Sequence, residues 1–267
     1  MISWLHHYSP ERIIFSLGPI NFYWYGLILV LAILAGLAVV IKFGKKINLK
    51  LEQILDLAFY LVLGGLVGAR IWEVLLVNPG YYLNQPLEIF KIWQGGLAIH
   101  GALVAGLITV VVYCKKQQLN FWLTADVLVL GVTLGQAIGR WGNYFNQELF
   151  GYPTNLPWGI FIAPANRPEL FLDFKYFQPT FLYESLGSLI ILGLLIWQFK
   201  KIQRPGLILA EYLMLYSALR FSLEFIRLDP EMVWWGLRLP QWISLLVIMA
   251  VSSWLLGVKR SGIIKAE

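Results

Sequence analysis

Polar side chains capable of binding a ligand are concentrated directly after an apolar stretch. The apolar stretch runs from Val127 to Ile138, and the segment Gly139–Gly151 follows it. Its chemically active side chains are Arg140, Asn143, Asn146 and Glu148. Such groups are costly at the end of a membrane segment unless they face a cavity, one another or a polar ligand. The glycines among them let the backbone turn and approach a ligand closely. The segment therefore predicts a polar site at the edge of a membrane.

A second set of charged residues shares one face of a later predicted helix. Arg220, Glu224 and Arg227 lie at i, i+4 and i+7, and Tyr216 comes one turn earlier, so a helix presents all four on one side. They could form an internal ion-pair ladder that only holds helices together. Two arginines against one glutamate nevertheless leave a positive excess, which suits an anion at the outer leaflet. Because the planar fork of arginine matches phosphate oxygens, the natural ligand is an anionic phospholipid.

Five further polar residues each allow a structural and a functional interpretation. Arg70 and Glu73 are one turn apart, and they could be a structural pair. His100 opens another apolar segment, where a lone histidine is either a hydrogen-bonded filler or a base that moves protons near neutral pH. Asp126 is typical of a helix cap without chemistry. Tyr25 opens the first apolar segment, where aromatic residues are usually interface anchors.

The composition places the chain in a membrane. Hydrophobic residues make up 58 % of its 267 residues, charged residues only 13 %, and the mean hydropathy is +0.67. A soluble domain has about 25 % charged residues, so this chain lacks the surface that water requires. The single cysteine, Cys114, excludes internal disulfides and a cysteine-based metal cage. Only three histidines are present, which disfavours a histidine-rich metal site.

Apolar windows predict an all-α integral membrane protein, a bundle of about seven transmembrane helices in one polytopic domain that spans residues 1–267. The predicted spans are Phe22–Ile41, Ile54–Val77, Leu97–Tyr113, Thr124–Ile138, Phe181–Phe199, Leu207–Phe225 and Trp242–Val258. The connections after the first, third and fifth spans, together with the C-terminal tail, hold 12 of the 21 Lys and Arg residues, and the opposite side holds 5. This asymmetry predicts an outer N-terminus and a cytoplasmic C-terminus. The net charge of +6 is thus a topology signal and requires no nucleic-acid partner.

Two outer connections are too long to be simple turns. The segment Asn78–Gly96 has an amphipathic pattern, with Leu87 and Trp93 among its apolar residues, and it is suited to lie on the bilayer surface. The segment from about residue 143 to 180 contains five prolines, which exclude a long helix. We expect it to fold as a small extracytoplasmic cap. From the residues alone, a lipid-modifying enzyme, a lipid transporter and a lipid-regulated membrane protein all stay open.

The segment Gly139–Gly151, read as Gly-Arg-Trp-Gly-Asn-Tyr-Phe-Asn-Gln-Glu-Leu-Phe-Gly, resembles the defining motif of bacterial prolipoprotein diacylglyceryl transferases. Five more segments resemble that family in the same order along almost the whole chain: Trp24–Gly26, Gly68–Arg70, Gly95–Gly101, Pro179–Glu184 and Arg220–Pro230. The resemblance implies a multi-pass enzyme of the bacterial plasma (inner) membrane. It implies transfer of the diacylglyceryl group of phosphatidylglycerol to the lipobox cysteine in the signal peptide of a preprolipoprotein. A thioether forms, glycerol 1-phosphate leaves, and no metal, nucleotide or other cofactor takes part.

The resemblance also assigns roles to residues of this chain. Arg140 and Arg220 are expected to hold the phosphate and glycerol of the lipid. His100 is the preferred acceptor of the thiol proton, and its alternative role is to contact the lipid head group. The residues expected to bind substrate or shape its pocket are Tyr25, Arg70, Asn143, Asn146, Glu148, Gly151, Tyr216, Glu224 and Arg227. Among these, Glu224 and Arg227 are expected to orient Arg220, and Gly151 to act as a backbone hinge. The alternative function is a phospholipid-binding or lipid-transporting membrane protein without transferase activity.

Overall fold

The structure, a computed structural model, describes residues 6, 8–18, 20–201 and 204–260. Its helices in this part of the chain are α1 Trp24–Gly44, α2 Leu51–Trp72, α3 Pro79–Asn84, α4 Ile99–Lys116, α5 Phe121–Asn146, α6 Thr180–Lys201, α7 Leu207–Leu223 and α8 Leu239–Arg260. Antiparallel two-stranded hairpins join β1 Ile13–Leu17 to β2 Ile20–Tyr23, β3 Ile160–Phe161 to β4 Tyr176–Phe177, and β5 Val233–Trp234 to β6 Leu237–Arg238. The prediction of an all-α membrane protein is confirmed.

Six helices among the described residues are long and apolar enough to cross a membrane. They are Trp24–Ile47, Leu51–Val77, Ile99–Lys116, Phe121–Asn146, Thr180–Lys201 and Leu239–Gly257. The remaining predicted span corresponds to α7, which has 17 residues and carries Glu211 and Arg220. Its length of 17 residues keeps α7 out of that group, so the predicted number of seven is approximate.

Local sequence explains where these helices begin. The amide of Lys50 donates to Gln53 Oε1 at 3.0 Å ahead of α2, and the Asn120 side chain accepts from the amide of Leu123 at 3.1 Å at the start of α5. Both bonds satisfy groups that a helix end leaves without an intrahelical partner. Pro179 directly precedes α6, and Gly206 adopts a left-handed φ of 86° directly before α7.

The chain divides into two compact units. The first comprises the residues up to Val39 and from Val129 onward, and the second is Val40–Leu128. In the first unit, a hydrophobic cluster joins the end of α5 and the start of α6 to the segment between them. Its buried members are Tyr144, Phe150, Ile160, Ile162, Phe177 and Phe181. This cluster holds the polar segment that follows α5 against the first turn of α6.

In the second unit, α2 packs against α4 through glycines. A Cβ on Gly68 would lie 2.6 Å from the carbonyl oxygen of Gly101, and a Cβ on Gly101 would overlap the carbonyl oxygen of Gly68. Small residues thus let the two backbones approach directly, as membrane helices often do. After α2, a turn of π-helix at Glu73–Val77 leads to α3 and to 3₁₀ turns at Pro86–Phe90 and Ile92–Gln94. The predicted surface segment is therefore several short helical pieces.

We expect Gly101→Ala to lower the free energy of unfolding by about 1–3 kcal/mol, because the added methyl group meets a backbone atom that cannot move aside. Gly106→Ala, on the same helix, is the matched control, since a Cβ there would meet only Leu61 at 3.8 Å. Thermal unfolding of the purified variants in detergent measures both. Equal melting temperatures for Gly101→Ala and the parent protein would contradict the packing described here.

Candidate functional site

The buried carboxylate of Glu184 joins two arginines in the first unit. Glu184 lies on the first turns of α6 and is 2 % exposed. Its Oε1 atom is 2.6 Å from Arg140 Nη2 on α5, and its Oε2 atom is 3.5 Å from Arg220 Nη1 on α7. The Tyr216 hydroxyl donates to Oε1 at 2.6 Å. One carboxylate therefore fixes the guanidinium groups of two different helices side by side.

A second buried carboxylate continues this row of charges. Glu224 is 1 % exposed, and its Oε2 atom is 2.9 Å from Arg220 Nη2. On its other side, Glu224 Oε1 is 3.1 Å from Nη1 of Arg238. Arg238, at the end of β6, also donates to the backbone carbonyls of Glu224, Arg227 and Asp229. We call Arg140, Glu184, Arg220, Glu224 and Arg238 the arginine cluster.

Arg227 lies beside the arginine cluster with a partner of its own. Helix α7 ends at Leu223, so Arg227 lies beyond it, and the expectation that one helix presents Arg227 on the same face as Arg220 is wrong. The side chain pairs instead with Asp229, whose Oδ2 atom accepts from Arg227 Nε at 2.6 Å. Its backbone forms an isolated antiparallel bridge with Gly151. Arg227 thus fixes the segment after α7 to the segment after α5.

The charges of this region leave a positive excess. Four guanidinium groups, those of Arg140, Arg220, Arg227 and Arg238, face the three carboxylates of Glu184, Glu224 and Asp229. The buried Nη1 atom of Arg220 has Glu184 Oε2 as its ion-pair partner at 3.5 Å and no shorter hydrogen bond among the described residues. The Arg140 side chain is the most exposed of the cluster, at 23 %. An anion that approaches these ion pairs would therefore meet Arg140 first.

The asparagines and the glutamate of the motif form a smaller network next to Arg140. Arg140 Nη1 donates to Asn143 Oδ1 at 3.3 Å. The amide groups of Asn143 and Asn146 both donate to Glu148 Oε1, at 2.9 and 3.2 Å. Because Glu148 accepts from both asparagines, it fixes the Asn143 oxygen that faces Arg140. This contact fixes Nη1 of the guanidinium, whereas Glu184 holds Nη2.

Two glycines of the motif allow close packing. A Cβ on Gly142 would lie 2.6 Å from Cδ2 of Tyr25, so the Tyr25 ring rests directly on the motif helix. A Cβ on Gly151 would lie 2.5 Å from the carbonyl oxygen of Ile226. Between them, Gln147 and Leu149 adopt left-handed φ angles of 50° and 56°, which turn the chain sharply after α5. Gly151 therefore serves the close approach of two backbones.

The remaining predicted residues, Arg70 and His100, belong to the second unit. Arg70 is buried and donates to the backbone carbonyls of Glu88, Ile89, Gly95 and Gly96. The pairing of Arg70 with Glu73 considered above is wrong for these two described side chains, since Glu73 accepts from Asn78 at 2.7 Å instead. The hydrogen bonds of the Arg70 side chain thus hold the surface segment after α2 in place. His100 lies in the first turn of α4, exposed, with its ring centroid 6.1 Å from that of Trp72.

Sequence reasoning missed Glu184, Arg238 and Asp229 as site residues. Glu184 is the only charged residue within the predicted span Phe181–Phe199, and an isolated acid inside a membrane span is itself a signal of function. Arg238 was counted only as a basic residue of an outer connection. Its contacts depend on the hairpin of β5 and β6, which no sequence pattern indicated.

Comparison with known proteins supports the resemblance seen in the motifs. Residues 12–256 match the family described as prolipoprotein diacylglyceryl transferase. A phosphatidylglycerol–prolipoprotein diacylglyceryl transferase of Prochlorococcus marinus (strain NATL2A) is 42 % identical over 94 % of this chain and 91 % of its own length. A protein of the same name from Synechococcus elongatus is 38 % identical over 95 % of this chain and 90 % of its own length. Another, from a Nostoc species, is 40 % identical over 94 % of this chain and 92 % of its own length.

Proposed function

The chain belongs to the prolipoprotein diacylglyceryl transferase family, and from this we infer that it is a transferase that moves the diacylglyceryl group of phosphatidylglycerol to a prolipoprotein. It is a multi-pass membrane protein. The observation that supports a role for the arginine cluster in this reaction is the pair of guanidinium groups held side by side by Glu184. Two arginine forks in that arrangement suit a phosphate diester at the membrane surface.

In the reaction that we propose, the lipobox cysteine loses its proton and the thiolate attacks the glycerol carbon of the diacylglyceryl group that bears the phosphate. A carbon–sulfur bond forms, the carbon–oxygen bond to the phosphate breaks, and glycerol 1-phosphate leaves. Negative charge grows on the phosphate as that bond breaks. Arg140 and Arg220 are placed to stabilise it, since fixed donors in a site shielded from water favour the developing charge.

The other motif residues have supporting roles in this proposal. Asn143 and Glu148 orient Arg140 through its Nη1 atom, and Glu184 holds its Nη2 atom. Tyr216 bridges Arg140 and Glu184, since its hydroxyl accepts from the former at 3.4 Å and donates to the latter. Tyr25 closes over the motif helix at Gly142. Asn146 and Gly151 fix the turn after α5, and Arg227 anchors the following connection through Asp229.

His100 is proposed as the group that accepts the thiol proton. We expect His100→Gln to reduce kcat by about 10²–10⁴-fold, the usual contribution of a positioned general base. The rate of adduct formation on a lipobox peptide, followed from pH 6 to pH 9, tests this role. If His100 is the base, the variant loses much of its activity near neutral pH and regains part of it at high pH, where the thiol ionises unaided. Retention of full activity at pH 7 would remove His100 from the chemistry.

The membrane orientation is also a proposal. The excess of Lys and Arg in the connections after α1, α4 and α6 supports a cytoplasmic location of those connections in the bacterial inner membrane. The arginine cluster lies at the opposite ends of α5, α6 and α7. It would then face the outer leaflet, where a lipobox signal peptide can present its cysteine.

The proposed lipid substrate is tested by comparing head groups. Purified protein in detergent is given phosphatidylglycerol or phosphatidylethanolamine with the same acyl chains, together with a synthetic lipobox peptide. We expect the diacylglyceryl adduct on the peptide to form from phosphatidylglycerol only, and only when the peptide carries its cysteine. Replacement of that cysteine by serine is the matched control. Equal turnover of both lipids would contradict phosphatidylglycerol as the preferred donor.

A further inference from the structure

A groove in the first unit lies far from the arginine cluster, between the end of α6 and the start of α7. Its cavity volume is about 300 Å³. The lining residues are Leu194, Trp197, Gln198, Glu211, Met214 and Leu215. Four of the six side chains are apolar, so the groove would accept an apolar chain from the bilayer. One carboxylate, that of Glu211, stands among them.

The carboxylate of Glu211 has no cationic partner within the described part of the chain. It accepts one hydrogen bond, from Gln198 Nε2 at 2.7 Å. The nearby ammonium group of Lys201 lies over the Trp197 ring, 3.7 Å from its centroid. An unpaired carboxylate beside apolar walls at a membrane helix is costly, and a cation entering the groove would lower that cost. The groove therefore combines an apolar surface with a preference for positive charge.

The numbers of helical residues on α6 and α7 give the distance between this groove and the arginine cluster. Gln198 follows Glu184 by 14 residues on α6, which corresponds to about 21 Å of helix. Glu211 precedes Arg220 by nine residues on α7, which corresponds to about 13 Å. A secretory signal peptide has a basic n-region, an apolar region of 7–15 residues and then its cleavage site. As a helix, that apolar region covers about 10–22 Å, which matches the separation along α6 and α7.

We propose that this groove binds the basic n-region of the prolipoprotein signal peptide, with Glu211 as the partner of a lysine or arginine side chain. The inference rests on the proposed function, because it takes the prolipoprotein as substrate. The apolar region of the peptide lies along α6 and α7, and the lipobox cysteine reaches the arginine cluster at their other end. Gln198 positions the Glu211 carboxylate. The groove thereby selects substrates by n-region charge and sets the depth at which the cysteine is presented.

The test compares two synthetic signal peptides that differ only in the n-region, one with two lysines and one with two glutamines at the same positions. Initial rates of diacylglyceryl adduct formation are measured in nanodiscs of phosphatidylglycerol and phosphatidylcholine for the parent protein and for Glu211→Gln. We expect the parent to show a KM about fivefold to tenfold lower for the dilysine peptide, as a partly buried charge pair would give. In Glu211→Gln that preference disappears, and the diglutamine peptide reacts as it does with the parent. Glu52→Gln, which removes an exposed carboxylate at the start of α2, is the matched control.

Any other outcome contradicts either the role of the groove or the proposed transferase function. If the parent modifies both peptides with equal KM, or if Glu211→Gln keeps the dilysine preference, the groove does not bind the n-region. If Glu211→Gln slows both peptides equally, the carboxylate serves a lipid head group or the packing of α6 with α7, and the proposal fails. If the parent modifies neither peptide, the proposed transferase function itself fails. That last result is distinguishable because it appears without any substitution in the groove.

Discussion

Glu184→Gln is expected to lower kcat/KM by about 10²–10³-fold, the loss seen when a preorganised electrostatic contact is removed from an active site. The glutamine retains the size of the side chain, but it removes the charge that holds Arg140 and Arg220 side by side. Arg140 loses its buried carboxylate partner, which costs about 3–5 kcal/mol, whereas Arg220 keeps its contact with Glu224. The arginines are then expected to separate or to be held by water. Since Glu184 acts through the arginines, it is a positioning residue.

Kinetic and unfolding measurements on Glu184 variants distinguish a carboxylate that positions the arginines from one that only stabilises the fold. Glu184→Asp keeps the charge and is expected to restore part of kcat/KM. Glu169→Gln, which removes an exposed carboxylate between α5 and α6, should behave as the parent protein does. The loss in Glu184→Gln should fall mainly on kcat, because we propose that the arginines stabilise charge that develops in the transition state. Thermal unfolding of each variant accompanies the kinetics. Parent-like kinetics in Glu184→Gln would exclude the carboxylate from the site.

Arg140→Ala is expected to reduce kcat/KM by about 10³-fold or more, since it removes the proposed phosphate ligand, which is also the most exposed cation of the cluster. Arg140→Lys should recover only a part of that activity, because a lysine keeps the charge but not the fork that contacts Glu184, Asn143 and a phosphate together. Rates of adduct formation for both variants measure this. A full rescue by lysine would mean that charge alone is required at this position.

The coupling of Arg140 to Glu184 gives an additional check. In the double variant Arg140→Ala/Glu184→Gln, the two losses should combine to much less than their product, since each single change already disrupts the same contact. Arg140→Ala/Glu169→Gln is the matched double variant, and it should lose as much activity as Arg140→Ala alone. If the Arg140 and Glu184 losses multiply fully, the two residues act independently, and the arginine cluster is not one functional unit.

Much of the fold followed from the sequence because membrane helices are specified by local composition. Apolar windows of about 20 residues located every long helix, but the predicted end of α5 at Ile138 is wrong, because the helix continues through the polar motif to Asn146. The motif residues Arg140, Asn143, Asn146 and Glu148 indeed contact one another or share a partner. Spacing along one segment was sufficient there, since all four residues lie within nine positions.

What the sequence did not predict depends on where helices end and on contacts between distant segments. Arg227 was assigned to a helical face, but α7 ends at Leu223 and turns Arg227 toward Asp229. The role of Arg70 depends on four carbonyl groups, which carry no side-chain signal. The partners of Arg140 and Arg220 come from Glu184, which is 44 and 36 residues away along the chain. Pairing of that kind requires the packed helices.

Mass spectrometry of the acceptor peptide tests the proposal that the arginine cluster transfers a diacylglyceryl group to a cysteine thiol. Purified protein, phosphatidylglycerol with deuterated acyl chains and a lipobox peptide are incubated together, beside the Arg140→Ala variant. We predict that the peptide cysteine gains one deuterated diacylglyceryl group in the parent reaction and that the adduct is at least about 10³-fold slower to form with the variant. No adduct from a folded parent protein that still binds the lipid, or an adduct that forms equally fast with Arg140→Ala, would contradict it.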